Sequence, residues 1–245
     1  MIILQFDNAY FHWGLLALQS LWLHESHTEV LCNTVNLTDG HIQELLQAHA
    51  RVEVTNGVSD RATSPEQMAA RKPLVLQHAM EHYPEHPWYA LLDADFLVRR
   101  PLTALWSLLD NHPAALFITD GFEHGTYYPQ LVTPSGIVLV RSEAKKLIDC
   151  WAKWYSHDQP LGSIEPRAWY WDQITLAQAR TETHVSCASI PLEIYGDDQL
   201  LPSSAIWSAN VGDLKPRYYD LFRDEYQRQL SELSAEMLQL PAVLS

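Results

Sequence analysis

Short apolar runs alternate along this chain with longer segments whose apolar positions recur at helical spacing. Residues 2–6 predict a first strand, 10–24 a helix, 28–35 a strand, 39–49 a helix and 51–55 a short strand. Ser64-Pro65-Glu66 has the signature of a helix start, with proline early in the first turn, and that helix runs to about Tyr83, before Pro84. Trp88-Tyr89-Ala90-Leu91-Leu92 is strand-like and closes on Asp93, and a short helix follows Pro101. Further strands are expected at 114–119 and 136–140, and further helices at 142–155 and around 169–181. Loops at 120–134 and 156–168, the first rich in Gly, Tyr and Pro, separate them. This alternation implies an α/β fold, a mostly parallel sheet with helices on both faces. Phe222, Tyr226, Leu230, Leu233 and Met237 make one stripe of a charged tail helix over about 217–240, expected to dock on the rest of the chain, with dimerisation as the lesser alternative.

With 245 residues, 47% hydrophobic and 19% charged, the chain can bury a sizeable core and is not disordered. A formal charge of −14 argues against nucleic acid or anionic lipid as a partner. Cys32, Cys150 and Cys187 are scattered with no C-x-x-C spacing, which argues against a zinc knuckle or a disulfide framework and for a reducing compartment. The opening Met1-Ile2-Ile3-Leu4-Gln5-Phe6-Asp7 lacks a basic start and reads as a strand, not a signal peptide. No apolar run is long enough to span a bilayer, so the expectation is a cytoplasmic protein.

Asp93-Ala94-Asp95 carries the chemistry. On an extended chain, positions i and i+2 share a side, so both carboxylates can face one cation. Hard oxygen ligands suit magnesium or manganese, which reserve positions for water and phosphate oxygens. The end of a buried parallel strand is where open α/β sheets bind ligands, so the pair points to a metal–diphosphate site. The alternative is a solvated acidic turn. Asp172 and Gln173 sit among Trp169, Tyr170 and Trp171, a mixture of polar groups and rings that suits a sugar or, equally, a helix start with core aromatics. His24/His27 and His82/His86 have helical spacing without the Glu of a zinc-protease motif and read as solvated faces.

Residues 87–106, PWYALLDADFLVRRPLTALW, resemble the Asp-x-Asp segment of GT-A fold nucleotide-sugar glycosyltransferases, and are most like the retaining lipopolysaccharide galactosyl- and glucosyltransferases and glycogenin. Five further regions follow that family's order over about residues 1–216. Phe6-Asp7-Asn8-Ala9-Tyr10 resembles the first-strand end, where Asp7 would read the base and Tyr10 would stack on it. Ala70-Arg71-Lys72-Pro73-Leu74 resembles the basic segment that reaches the donor. Ser135-Gly136-Ile137 stands where the family has Asn-Ala-Gly before a strand, so Ser135 would replace the amide at the sugar. Trp171-Asp172-Gln173 resembles its Asp-Gln pair, and Gly212-Asp213-Leu214-Lys215-Pro216 its Gly-x-x-Lys-Pro close.

The resemblance implies a GT-A domain over 1–216, a helical tail over 217–245, and transfer of a hexose from a UDP-sugar to a glycan or other hydroxyl acceptor with retention. It also implies Mn or Mg on Asp93 and Asp95, Arg71 and Lys215 at the diphosphate, Asp120 on sugar hydroxyls, and Gln173 at the anomeric carbon. Ala209 replaces the family's metal-binding His, leaving Asn210 as the adjacent oxygen donor. Two other readings stay open: a non-catalytic nucleotide-sugar or glycan-binding relative, and a phosphohydrolase using Asp-x-Asp.

Overall fold

Ile2–Leu4 and Phe6 are buried on both faces of the sheet, the environment of a central parallel strand. The computed structural model describes residues 1–57, 65–118, 133–156, 171–196, 200–209 and 215–239. Within them the order is β1 (Ile2–Asp7), α1 (Phe11–Glu25), β2 (Val30–Val35), α2 (Asp39–Ala48), β3 (Val52–Gly57), α3 (Pro65–His82), β4 (Tyr89–Asp93), β5 (Phe96–Val98) and α4 (Thr103–Ser107). There follow β6 (Ala114–Leu116), β7 (Ile137–Val140), α5 (Lys145–Tyr155), α6 (Trp171–Thr183), β8 (Cys187–Ser189), β9 (Ile206–Ser208) and α7 (Lys215–Gln239).

Seven strands form one sheet in the order β3-β2-β1-β4-β7-β6-β8; β5 and β9 pair in a second, antiparallel sheet. β7 alone runs against its neighbours β4 and β6, so the main sheet is mostly parallel. One face of the sheet (Ile2, Leu4, Phe6, Cys32) packs on α1, α2 and α4. The other (Ile3, Leu31, Tyr89, Leu91) packs on α3, α5 and α6. Both faces carry helices, as the alternation implies. The expected strand at 114–119 ends at Leu116, and β5, β8 and β9, three residues each, have no counterpart in the sequence reading. The three cysteines are free thiols, and no described helix is long and apolar enough to cross a membrane.

α7 docks through Phe222, which is fully buried with Trp13, Leu16, Leu97 and Ala209. Arg99, just beyond β5, pairs with Glu225 at 3.0 Å and lies 3.8 Å over the Trp207 ring. His24, expected on a solvated face, instead bonds Gln229 of α7 at 2.9 Å.

Gly14 lets α1 approach β1: a Cβ there would stand 2.6 Å from two atoms of the Phe6 ring, itself buried in the core. Alanine's higher helix propensity, worth about 1 kcal/mol, does not offset an overlap that would push a walled-in ring. Gly14→Ala should therefore destabilise the fold by about 1–2 kcal/mol net. Chemical denaturation checks this; an unchanged midpoint would mean that the ring has room to move.

Candidate functional site

β1 and β4 are adjacent and parallel, with Gln5 opposite Asp93, so their carboxyl ends open on one edge of the sheet. β4 ends at Asp93, where the backbone N–H donates to the Gly136 carbonyl at 2.9 Å. The chain then bends through Ala94 and Asp95 into β5, and the Asp95 carbonyl accepts from the Ala209 N–H at 2.9 Å. Asp95 thus lies beyond the strand, so alternation along a strand does not bring the carboxylates together. The bend does.

Each carboxylate meets its own lysine. Lys72 of α3 places Nζ 2.7 Å from Asp93 Oδ1 and 3.3 Å from Asp172 Oδ2, and donates to Ser135 Oγ at 3.2 Å. Ser135 in turn donates to Asp172 in a short hydrogen bond. Lys215, the first residue of α7, places Nζ 2.6 Å from Asp95 Oδ2 and 2.9 Å from the Tyr10 hydroxyl, with the ammonium 4.6 Å over that ring. Five separated segments therefore converge on the acidic bend, three through ion pairs and those of Ser135 and Tyr10 through hydrogen bonds.

The electrostatics follow from burial and proximity. Burial pushes the Asp93 carboxyl above the usual range; Asp95 and Asp172 add to this, while Lys72 opposes it. Burial alone would lower Lys72, but Asp93 and Asp172 hold it above the ordinary lysine value. Lys215 is likewise raised: burial opposes, and Asp95 and Tyr10 prevail. Among the described residues three carboxyl groups face two ammonium groups, so acidic groups outnumber basic ones by one.

That surplus suits a cation. Lys72 lies on Asp93 Oδ1 and Lys215 on Asp95 Oδ2, so an ion held by both carboxylates would share them with these ammonium groups. Mg or Mn bound by one or two carboxylates completes its shell with water and phosphate oxygens. Among the described residues no third His, Cys, Asp or Glu joins the pair. Ala209 packs among Trp13, Leu97 and Phe222, so its position gives no donor.

Asp7 caps the short turn Asn8–Tyr10, accepting from the Ala9 and Tyr10 N–H groups at 3.0 and 3.2 Å. Asn8 is exposed at the same edge, and Phe6 turns its ring into the core, so only its backbone faces the site. Arg71 departs from expectation. Its guanidinium lies by Gly57 at the end of β3, three strands from β4, and Lys72 is the base at Asp93. Gln173 is half-buried beside Asp172, and its backbone carbonyl accepts from the Thr133 N–H at 3.2 Å. Trp171 is a core residue, 1% exposed, donating to the Tyr155 carbonyl, and is not a sugar platform. Asp120, Trp169, Tyr170, Asn210 and Gly212 lie outside the described residues.

One neighbour gives no sequence signal. A Cβ on Gly136 would stand 2.6 Å from the Tyr195 hydroxyl and 3.4 Å from Asp93 Oδ2, so Tyr195 walls the site and any side chain at 136 would have to displace its hydroxyl. Tyr195 lies in a loop far along the chain, with no motif around it.

A mostly parallel sheet with one reversed strand, and an acidic bend leading into a second small sheet, define a GT-A fold. Solved structures similar to it are glycosyltransferases. GlyE of Streptococcus pneumoniae TIGR4 matches with TM-score 0.59 and 15% identity, over 100% of this chain and 66% of GlyE. The galactosyltransferase LgtC, in complex with donor and acceptor sugar analogs, matches with TM-score 0.59 and 14% identity, over 93% of this chain and 96% of LgtC. A glycosyltransferase involved in glycosylating the major capsid of PBCV-1 matches with TM-score 0.54 and 11% identity, over 91% of this chain and 98% of that one. At these identities the likeness is one of fold. No protein-family model and no curated protein matches the sequence.

Proposed function

We propose that the protein is a glycosyltransferase that moves a hexose from a UDP-sugar to a hydroxyl acceptor with retention of configuration, acting in the cytoplasm. The observation that carries this reading is the cluster of Asp93, Asp95 and Asp172 with Lys72 and Lys215 at the carboxyl edge of a GT-A sheet. Asp93 and Asp95 would hold Mg or Mn, with Asn210 proposed as a further donor. When bound, the ion would neutralise charge on the departing diphosphate.

The chain's own residues do the rest. Asp7 and Tyr10, at the end of β1, would take the base. Lys215 would add positive charge beside the diphosphate. Asp172, 2% exposed and fixed by Ser135 and Lys72, is held in place to accept from a sugar hydroxyl. Asp120 would serve as a second sugar contact. In the reaction the bond from the anomeric carbon to the diphosphate oxygen breaks and a bond to the acceptor oxygen forms. The acceptor proton passes to the leaving diphosphate, and the half-buried Gln173 amide supports the positive sugar electrostatically.

Removing one such preorganised group typically lowers turnover about a hundredfold. Gln173→Ala should do so while keeping UDP affinity, and NMR of the product should show the donor's anomeric configuration. An inverted anomer would overturn the retaining assignment. Unchanged turnover would remove only Gln173. The buried Ala209 at the place of a metal-binding His favours one second reading, a non-catalytic nucleotide-sugar binder. UDP binding without turnover across a panel of donors and acceptors would establish that reading instead.

A further inference from the structure

Lys215 occupies the place where a cation is needed. Its ammonium is 2.6 Å from Asp95 Oδ2, and a divalent ion on that same oxygen would sit about 2.1 Å from it. The two cations would then stand within about 5 Å of one another, three positive charges on one carboxylate. Lys72 is different. It has three acceptors, Asp93, Asp172 and Ser135, on three segments, and is fixed between them. Among the described residues Lys215 has Asp95 and the Tyr10 hydroxyl as its partners, and it is the first residue of α7.

We propose that Lys215 is an exchangeable counter-ion. In the free protein it neutralises Asp95 and holds off a divalent cation. When a nucleoside diphosphate arrives, the ammonium moves to its oxygens, and the freed carboxylate takes the ion. Anionic phosphate oxygens offer Lys215 a charge-assisted partner at least equal to the one it leaves. Cation and donor therefore bind as one unit, each weakly without the other. This rests on the proposed reading of the site and adds the order in which its charges are exchanged.

The test is Mn binding, read from loss of the free-ion EPR signal, with calorimetry of UDP alongside. In the wild type, UDP should tighten Mn binding at least about tenfold, and Mn should tighten UDP by the same factor, because linkage is reciprocal. Lys215→Met should bind Mn alone about tenfold more tightly than the wild type, shrinking that coupling, while binding UDP more weakly. Arg71→Met removes the same charge from a residue that lies by Gly57 rather than on the aspartates, and should leave Mn affinity nearly unchanged. Lys215→Arg, which keeps the charge and the anchor of α7, should restore wild-type coupling in part.

Mn affinity in Lys215→Met equal to that of the wild type would overturn the proposal. So would an equal tightening in Arg71→Met, which would mark a general field effect. Absence of UDP binding in the wild type, with and without Mn, would instead defeat the donor reading itself and this proposal with it.

Discussion

Lys72→Met should lower stability by about 2–3 kcal/mol and reduce turnover at least a hundredfold. The side chain is 13% exposed and is the only ammonium bridging Asp93 and Asp172 among the described residues. Methionine fills much of its volume but leaves two carboxylates facing each other without a counter-charge. Breaking a fully buried pair in this way costs about 3–5 kcal/mol. Asp93 is 36% exposed, so water screens part of the loss and the lower figure applies. A thermal melt should fall by roughly 4–12 °C for a domain of this size. Because Lys72 is held protonated above the ordinary lysine value, its contribution is complete below that value. It fades only as pH rises through the raised one, so the difference from wild type should persist across neutral pH. Turnover should fall because Asp172 and Ser135 lose the group that fixes them. A methionine variant with wild-type melting and turnover would show that Lys72 is merely a base near the surface.

Phe222→Ala is expected to be the most destabilising single change on α7, at about 3–5 kcal/mol. The ring is fully buried and meets Trp13 edge-on at 5.7 Å and Trp207 at 5.9 Å. Lys215 lies two turns earlier on the same helix, so loosening this anchor also displaces the ammonium from Asp95. UDP affinity should fall together with stability, although Phe222 lies outside the Lys215–Asp95 pair. Calorimetry on the folded variant checks this; unchanged UDP affinity would show that α7 does not position Lys215. The Arg99–Glu225 pair adds an acid-sensitive fastening. Burial works against the Glu225 carboxylate, but hydrogen bonds from Arg228, Gln229 and Arg99 hold it down at about 2. Its contribution is present above the usual carboxylate range and is lost as pH falls toward that value. Tryptophan fluorescence from Trp13 and Trp207 should follow the undocking.

The strands β1 and β4 were legible because a strand buried on both faces must be apolar nearly throughout, and no other short element demands that. Asp-x-Asp was legible for a related reason: two charges directly after such a run belong at a sheet edge. β7 illustrates the opposite case. Ile137-Val138-Leu139-Val140 announces a buried strand, but four apolar residues pair equally well in either direction, and its antiparallel run between β4 and β6 was invisible. β8 and β9 are too short to show a period.

The sequence alone determined the α/β layering, the helices on both faces, and the acidic pair at the end of a buried strand, because hydrophobic period and burial are local properties of the chain. Only the tertiary structure decided which charges meet. Arg71 and Lys72 are neighbours, yet successive helical residues point about 100° apart, and the packing of α3 sends Lys72 to Asp93 and Arg71 toward Gly57. Trp171 looked like a ring for a sugar and is core, because the docking of α6 on α5 chose which face is buried. Lys215 reaches Asp95 across 120 residues, and Tyr195 reaches Gly136 from a loop with no motif. Ion pairs and close contacts of this kind depend on distances of a few ångströms between elements far apart in the chain, and sequence spacing does not encode such distances.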